Sequence, residues 1–127
     1  MQINIRATNM ELTPNLKNYT EKRLKGLDKF IDPGKPEISG FVEIGKITKH
    51  HREGNIFRAE IQLKHPDYRS DLRVETESQD LYAAIDEASE KIKRVLIQSK
   101  EKRKSFVKRG ARLFKKIVYE TIGKRFD

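Results

Sequence analysis

Phe57-Arg58-Ala59-Glu60-Ile61-Gln62-Leu63-Lys64 (residues 57–64) decides the fold. Apolar and polar residues alternate without a break, so one face of an extended strand is buried and the other is wet. A sheet with one dry face needs a covering layer. The same alternation appears on either side of this stretch. After the turn at His65-Pro66-Asp67, Leu72, Val74 and Thr76 alternate with Arg73, Glu75 and Glu77. Before it, beyond the polar turn Lys49-His50-His51-Arg52-Glu53-Gly54-Asn55, the residues Ile38, Val42 and Ile44 share one strand face. At the N-terminus Ile3, Ile5 and Ala7 alternate with Gln2, Asn4 and Arg6.

Two stretches have the other period. Thr13-Pro14 offers an N-cap followed by proline at the first helical position. Leu16, Tyr19, Leu24, Leu27 and Ile31 then recur at helical spacing, a helix expected to enclose Gly26 and to end at Asp32-Pro33-Gly34. Ser78 is the expected N-cap of the second helix, with Asp80 in its first turn. Leu81, Ile85, Ala88, Ile92 and Leu96 form its apolar stripe. The class is α+β with order β-α-β-β-β-α: a four-stranded sheet with two helices on one face. A chain of 127 residues fits one domain and only a thin core.

The charge is unevenly distributed. The chain carries a formal +9, yet Lys91–Arg125 alone holds fourteen Lys and Arg against two acids, a surplus of 12 that leaves −3 for the rest. A mildly acidic body with a strongly basic final third calls for a polyanionic partner, with nucleic acid ahead of an anionic membrane surface. The apolar stripe of the second helix stops at Leu96, but no breaker follows until well beyond Ser99. At about 1.5 Å per residue, a basic helix end is expected to overhang the sheet by roughly two turns. Lys93, Lys100 and Lys104 line one flank, Lys91, Arg94 and Lys102 the other, and Arg103 adds to the run. On the first helix Lys22, Lys25 and Lys29 form a stripe opposite the apolar face. If the helices lie side by side, these basic faces merge into one surface suited to phosphate backbones. The plain alternative is a solvated face. It is strongest for Lys22, Lys25 and Lys29 taken alone, and weakest for the run from Lys91, which lacks balancing acids.

Other chemistry finds little support. There is no cysteine, so disulfides and thiolate metal sites are excluded and an intracellular, cytoplasmic protein is expected. No apolar run approaches the roughly 20 residues of a membrane span. His50 and His51 are adjacent, and His65 precedes a proline, so no metal site is expected. Glu75 and Glu77 read as exposed acids and not as a catalytic pair. No phosphate-cradling glycine loop occurs. Phe41 reads as a packing residue, and no aromatic pair offers a base-stacking platform. No catalytic residue and no cofactor is assigned.

Two segments carry a resemblance: Met1-Gln2-Ile3-Asn4-Ile5 with Asn9-Met10-Glu11-Leu12-Thr13-Pro14-Asn15-Leu16, and Gln79-Asp80-Leu81-Tyr82-Ala83-Ala84-Ile85-Asp86 followed by Lys91 and Arg94. Over about residues 1 to 104 the chain resembles the ribosome hibernation promoting factors and ribosome-associated inhibitor A, also called the sigma modulation protein family. The resemblance implies a fold like a double-stranded RNA-binding domain with an added strand. It implies binding to ribosomal RNA of the small subunit, on the whole ribosome, in the channel where messenger RNA and A- and P-site tRNA lie. Translation would stop during stress or stationary phase, with no small-molecule substrate and no membrane partner. The resemblance matches Arg23, Lys91, Arg94, Lys100, Lys102 and Lys104 to basic positions of the family. Asp80 and Tyr82 match motif positions, where capping and packing roles are expected.

The expected organisation is a ribosome-binding domain over residues 1–105 and a short basic amphipathic segment over 106–127, in a short form without the further C-terminal domain of long members, monomeric when free. For that segment four readings stay open: docking on the domain, added ribosomal contact, membrane-surface contact and self-association. The competing functions are a general double-stranded RNA-binding protein and a transcription-modulating interaction protein.

Overall fold

A computed structural model describes residues 1–31, 38–47, 54–65 and 70–126, with side chains beyond residue 99 described only at 101 and 109–113. Two compact units divide the chain, Met1–Leu96 and Ile97–Asp127. The first contains β1 (Gln2–Thr8), α1 (Pro14–Lys25), β2 (Ser39–Ile47), β3 (Ile56–Lys64) and β4 (Leu72–Ser78). The last element, α2, is helical from Leu81 to Phe126. The turns expected at residues 32–34, 49–53 and 66–67, with His50 and His51, lie outside the described residues.

The sheet order is β1-β2-β3-β4. β1 runs parallel to β2, with α1 in the crossover, and β2, β3 and β4 form an antiparallel meander. The register aligns the apolar positions in cross-strand rows. Ile5, Val42, Ile61 and Val74 form one row, and Ala7, Ile44, Ala59 and Thr76 the next. Shifting any strand by one residue would turn its apolar set to water, so this pattern fixes the pairing. Leu16 and Leu24 of α1 and Ala84, Ile85, Ala88, Ile92 and Leu96 of α2 join the same buried cluster as these rows. Both helices therefore cover one face, as the alternation requires. Gly40 admits α1 closely: a Cβ there would sit 3.3 Å from Met1 Sδ and 3.5 Å from Leu24 Cδ2.

The helix ends differ from the sequence reading in two places. Thr13 caps α1 as expected, its Oγ1 accepting from the Leu16 amide at 3.2 Å with Pro14 at the first position. But α1 stops at Lys25 and Gly26 is its C-cap, followed by a 3-10 turn at Asp28–Phe30. Glycine is a poor helix former, and Leu27 still reaches the core from the turn, buried at 3% exposure. At α2 the N-cap is Asp80, not Ser78. Asp80 Oδ1 accepts from the Tyr82 amide at 2.9 Å, and its carbonyl accepts from the Ala84 amide at 3.0 Å. Ser78 Oγ instead accepts from the Asp80 amide one step earlier.

Thr76 ties the first turn of α2 to β4. Its buried hydroxyl donates to the Ala84 carbonyl at 2.7 Å. Thr76→Val keeps the shape and removes the donor. We expect a loss of about 1 kcal/mol, read as a shift of the urea midpoint with unchanged slope.

The outer face of the sheet is charged and internally paired. Glu60 and Glu75 face each other across β3 and β4, a repulsive placement. Arg58 resolves it, reaching Glu75 through Nε and Glu60 through Nη2, each at 2.6 Å. These hydrogen bonds, Glu75 first, raise the Arg58 pKa above its ordinary value against the opposing effect of burial. Arg73 Nε adds a 2.6 Å contact to Glu60.

Candidate nucleic-acid interface

The basic residues singled out in the sequence lie on α1, on the 3-10 turn that follows it and on α2. Lys22 and Lys25 are exposed on α1, and Lys91 and Arg94 are exposed on α2. Lys29 does not extend an α1 stripe, because α1 has ended. It sits on the 3-10 turn, and that turn carries it toward α2. There Phe30 is the meeting point: Lys29 Nζ stands over its ring at 5.4 Å from the centroid, and Lys93 Nζ at 5.2 Å. The ring face attracts both ammonium groups, so cations from the two helical segments meet around one aromatic side chain. Lys100, Lys102, Arg103 and Lys104 belong to α2, but their side chains lie outside the described residues.

Arg23 is held differently. Its Nε lies 2.9 Å from Asp86 Oδ1 on α2, with both side chains about two-fifths exposed. The same Oδ1 accepts the Tyr19 hydroxyl at 2.5 Å. Tyr19 and Tyr82 meet edge to face, with ring centroids 4.8 Å apart. Tyr19 and Arg23 are four apart on α1, and Tyr82 and Asp86 four apart on α2, so each pair projects from one helix face. These two pairs bridge the helices. Residue spacing alone does not predict which acid answers which base, and the roles of Tyr19, Phe30 and Asp86 emerge only from the geometry.

The hydrogen bond to Asp86, then burial, raise the Tyr19 pKa above 10. The neutral phenol is the form the fold favours. Its stabilisation is full below the ordinary tyrosine pKa and is lost as pH rises through the raised folded value. Tyr19→Phe is expected to cost about 1 kcal/mol or less at neutral pH. The difference from wild type should vanish in strong alkali, and an ultraviolet titration should lose its late-ionising phenol.

Not all of this surface is basic. Asp86, Glu87 and Glu90 share a shallow depression with Lys91 and Arg94. Among the described residues no group of three His, Asp or Glu side chains is placed to hold a metal ion. His65 is buried at 8% exposure. Also among the described residues, no helix is long and apolar enough to cross a membrane.

Residues 3–104 match the profile of the family described as sigma 54 modulation protein / S30EA ribosomal protein. The chain is 32% identical over 94 residues to a ribosome hibernation promotion factor of Lactococcus lactis, covering 74% of this chain and 46% of that protein. It is 28% identical over 104 residues to the ribosome hibernation promoting factor of Klebsiella oxytoca, covering 82% and 98%. The chain thus spans about half the length of its Lactococcus and Bacillus subtilis relatives and nearly all of the Klebsiella one. Among solved structures it is similar to the Thermus thermophilus Protein Y N-terminal domain, with a TM-score of 0.63, 32% identity, and 77% of this chain and 98% of that chain covered. A ribosomal subunit interface protein from Coxiella burnetii shares the fold, with a TM-score of 0.61 and 24% identity over 80% and 99% of the two chains.

Proposed function

This chain belongs to the sigma 54 modulation protein / S30EA ribosomal protein family, and from that premise we propose that it is a ribosome hibernation factor. It binds the small ribosomal subunit in the channel for messenger RNA and tRNA, excludes A- and P-site tRNA, and silences translation in stress or stationary phase. It acts by occupancy and not by catalysis, in the cytoplasm, as a monomer until it meets the ribosome. Residues 1–105 carry the activity, and 106–127 form an extension. The contacts are Lys22, Arg23, Lys25, Lys29, Lys91, Lys93, Arg94, Lys100, Lys102, Arg103 and Lys104.

The observation that carries this reading is the meeting of cations from both helical segments at Phe30, inside the stretch that matches the family. Clustered cations of this kind suit recognition of phosphate backbones by shape and charge. On the outer sheet face Arg58 and Arg73 are instead paired with Glu60 and Glu75, which favours the helices as the docking side.

Co-sedimentation with purified ribosomes and separated subunits, across a salt series, tests the proposal. Saturable migration with the small subunit, weakening as salt rises and competed by tRNA, is expected. Equal affinity for naked duplex RNA would favour a general RNA-binding protein. Absence from every ribosomal fraction at low salt would remove the reading.

A further inference from the structure

We infer that Asp86 is a positioning residue for RNA binding, holding the Arg23 guanidinium in the orientation in which it grips a backbone phosphate. The inference rests on the ribosome-binding reading and deepens it.

The geometry is unusual for a structural ion pair. Arg23 Nε is enclosed and finds no hydrogen-bond partner, although Asp86 Oδ1 lies only 2.9 Å away. Attraction is present without the alignment that would satisfy the N–H. Oδ1 is already occupied by the Tyr19 hydroxyl, which fixes the carboxylate and so fixes the charge that Arg23 faces. Among the described residues no other acid pairs with Arg23, and its side chain keeps 38% exposure. Arg23 Nε is therefore held beside the Asp86 carboxylate by charge, while the guanidinium remains reachable from solvent. An arginine drawn to a fixed carboxylate ranges over fewer positions and so has less freedom to lose when it meets a phosphate bidentately. Asp86 also lines a depression with Lys91 and Arg94, so the proposed positioning residue shares a surface with two other proposed contacts.

The test turns on a sign. Asp86 is an anion beside a surface meant for a polyanion, next to Glu87 and Glu90. By charge alone, Asp86→Asn should tighten ribosome binding, because it removes repulsion. A positioning role predicts the reverse: binding weakens about threefold or more, a coupling typical of residues in one network. Asn preserves the size and keeps an oxygen that accepts from Tyr19, so thermal melting should move little. In an Arg23→Ala background the positioning role has nothing to act on, and Asp86→Asn should become neutral or tightening. That reversal separates positioning from a general structural effect, which would weaken both backgrounds alike. Tyr19→Phe provides a second variant. It frees the carboxylate, and its smaller loss of affinity should also vanish in the Arg23→Ala background.

Co-sedimentation dissociation constants at one salt concentration give the answer. If wild type binds ribosomes and Asp86→Asn binds equally or more tightly, the positioning role is overturned and the hibernation reading stands. Additive effects of Asp86→Asn and Arg23→Ala overturn it too. If wild type itself fails to bind, both readings fall together.

Discussion

Lys22→Glu, Lys25→Glu, Lys91→Glu and Arg94→Glu combined should abolish ribosome co-sedimentation at physiological salt while leaving a folded protein. All four side chains are exposed, and none belongs to the buried cluster. Surface substitutions of this kind usually change stability by no more than about 0.5 kcal/mol each. Binding responds differently. A hydrogen bond between charged groups contributes about 1.5–3 kcal/mol, and reversal replaces attraction with repulsion. Even if only two of the four meet phosphates, affinity should fall roughly 10³-fold or more, since about 1.4 kcal/mol is tenfold. The salt dependence should flatten as well, because each lost phosphate contact removes about 0.7 to 0.9 from the slope of log affinity against log salt. A folded variant that bound normally with an unchanged slope would show that the helices are not the docking side.

The strand pattern carried the architecture because each strand has one wet and one dry face. Phe57–Lys64 allows only one assignment of inside and outside, and Ala59, Ile61 and Leu63 are fully buried as it requires. The end of α1 was harder to read. Leu27 and Ile31 keep helical spacing beyond Gly26, yet a 3-10 turn delivers Leu27 to the core just as well. Apolar periodicity reports which residues go inside and is weak on where the helix stops. The start of α2 offered two capping residues two apart, Ser78 and Asp80, and both hydrogen-bond to backbone amides, so composition could not rank them. The basic helices were visible as charge. Their connection was not, because Phe30 joins Lys29 to Lys93, and Asp86 joins Tyr19 to Arg23, across 63 and more positions of sequence. Long-range pairing of this kind depends on how the two helical regions meet above the sheet, which no local pattern encodes.

Ile92→Ala should produce the largest loss of stability among the single substitutions considered, about 2–5 kcal/mol. Ile92 is fully buried, in the apolar cluster that α2 shares with the sheet. Among the described residues the other sheet face is charged and contributes no second core. A domain of this size has about 5–15 kcal/mol in total, so a cavity here removes a large fraction of it. Ile92→Val removes one methylene and should cost about 0.5–1.5 kcal/mol, giving a graded pair for denaturation. Ile92 also stands between Lys91 and Lys93 in sequence, so this substitution tests how far binding depends on a firmly seated helix. A variant that is partly unfolded but otherwise intact loses binding amplitude in proportion to its unfolded fraction, and the molecules that remain folded keep the wild-type salt slope. A flattened slope in Ile92→Ala would mean that the phosphate contacts themselves had shifted. The core beneath α2 would then be setting the geometry of the interface as well as the stability of the fold.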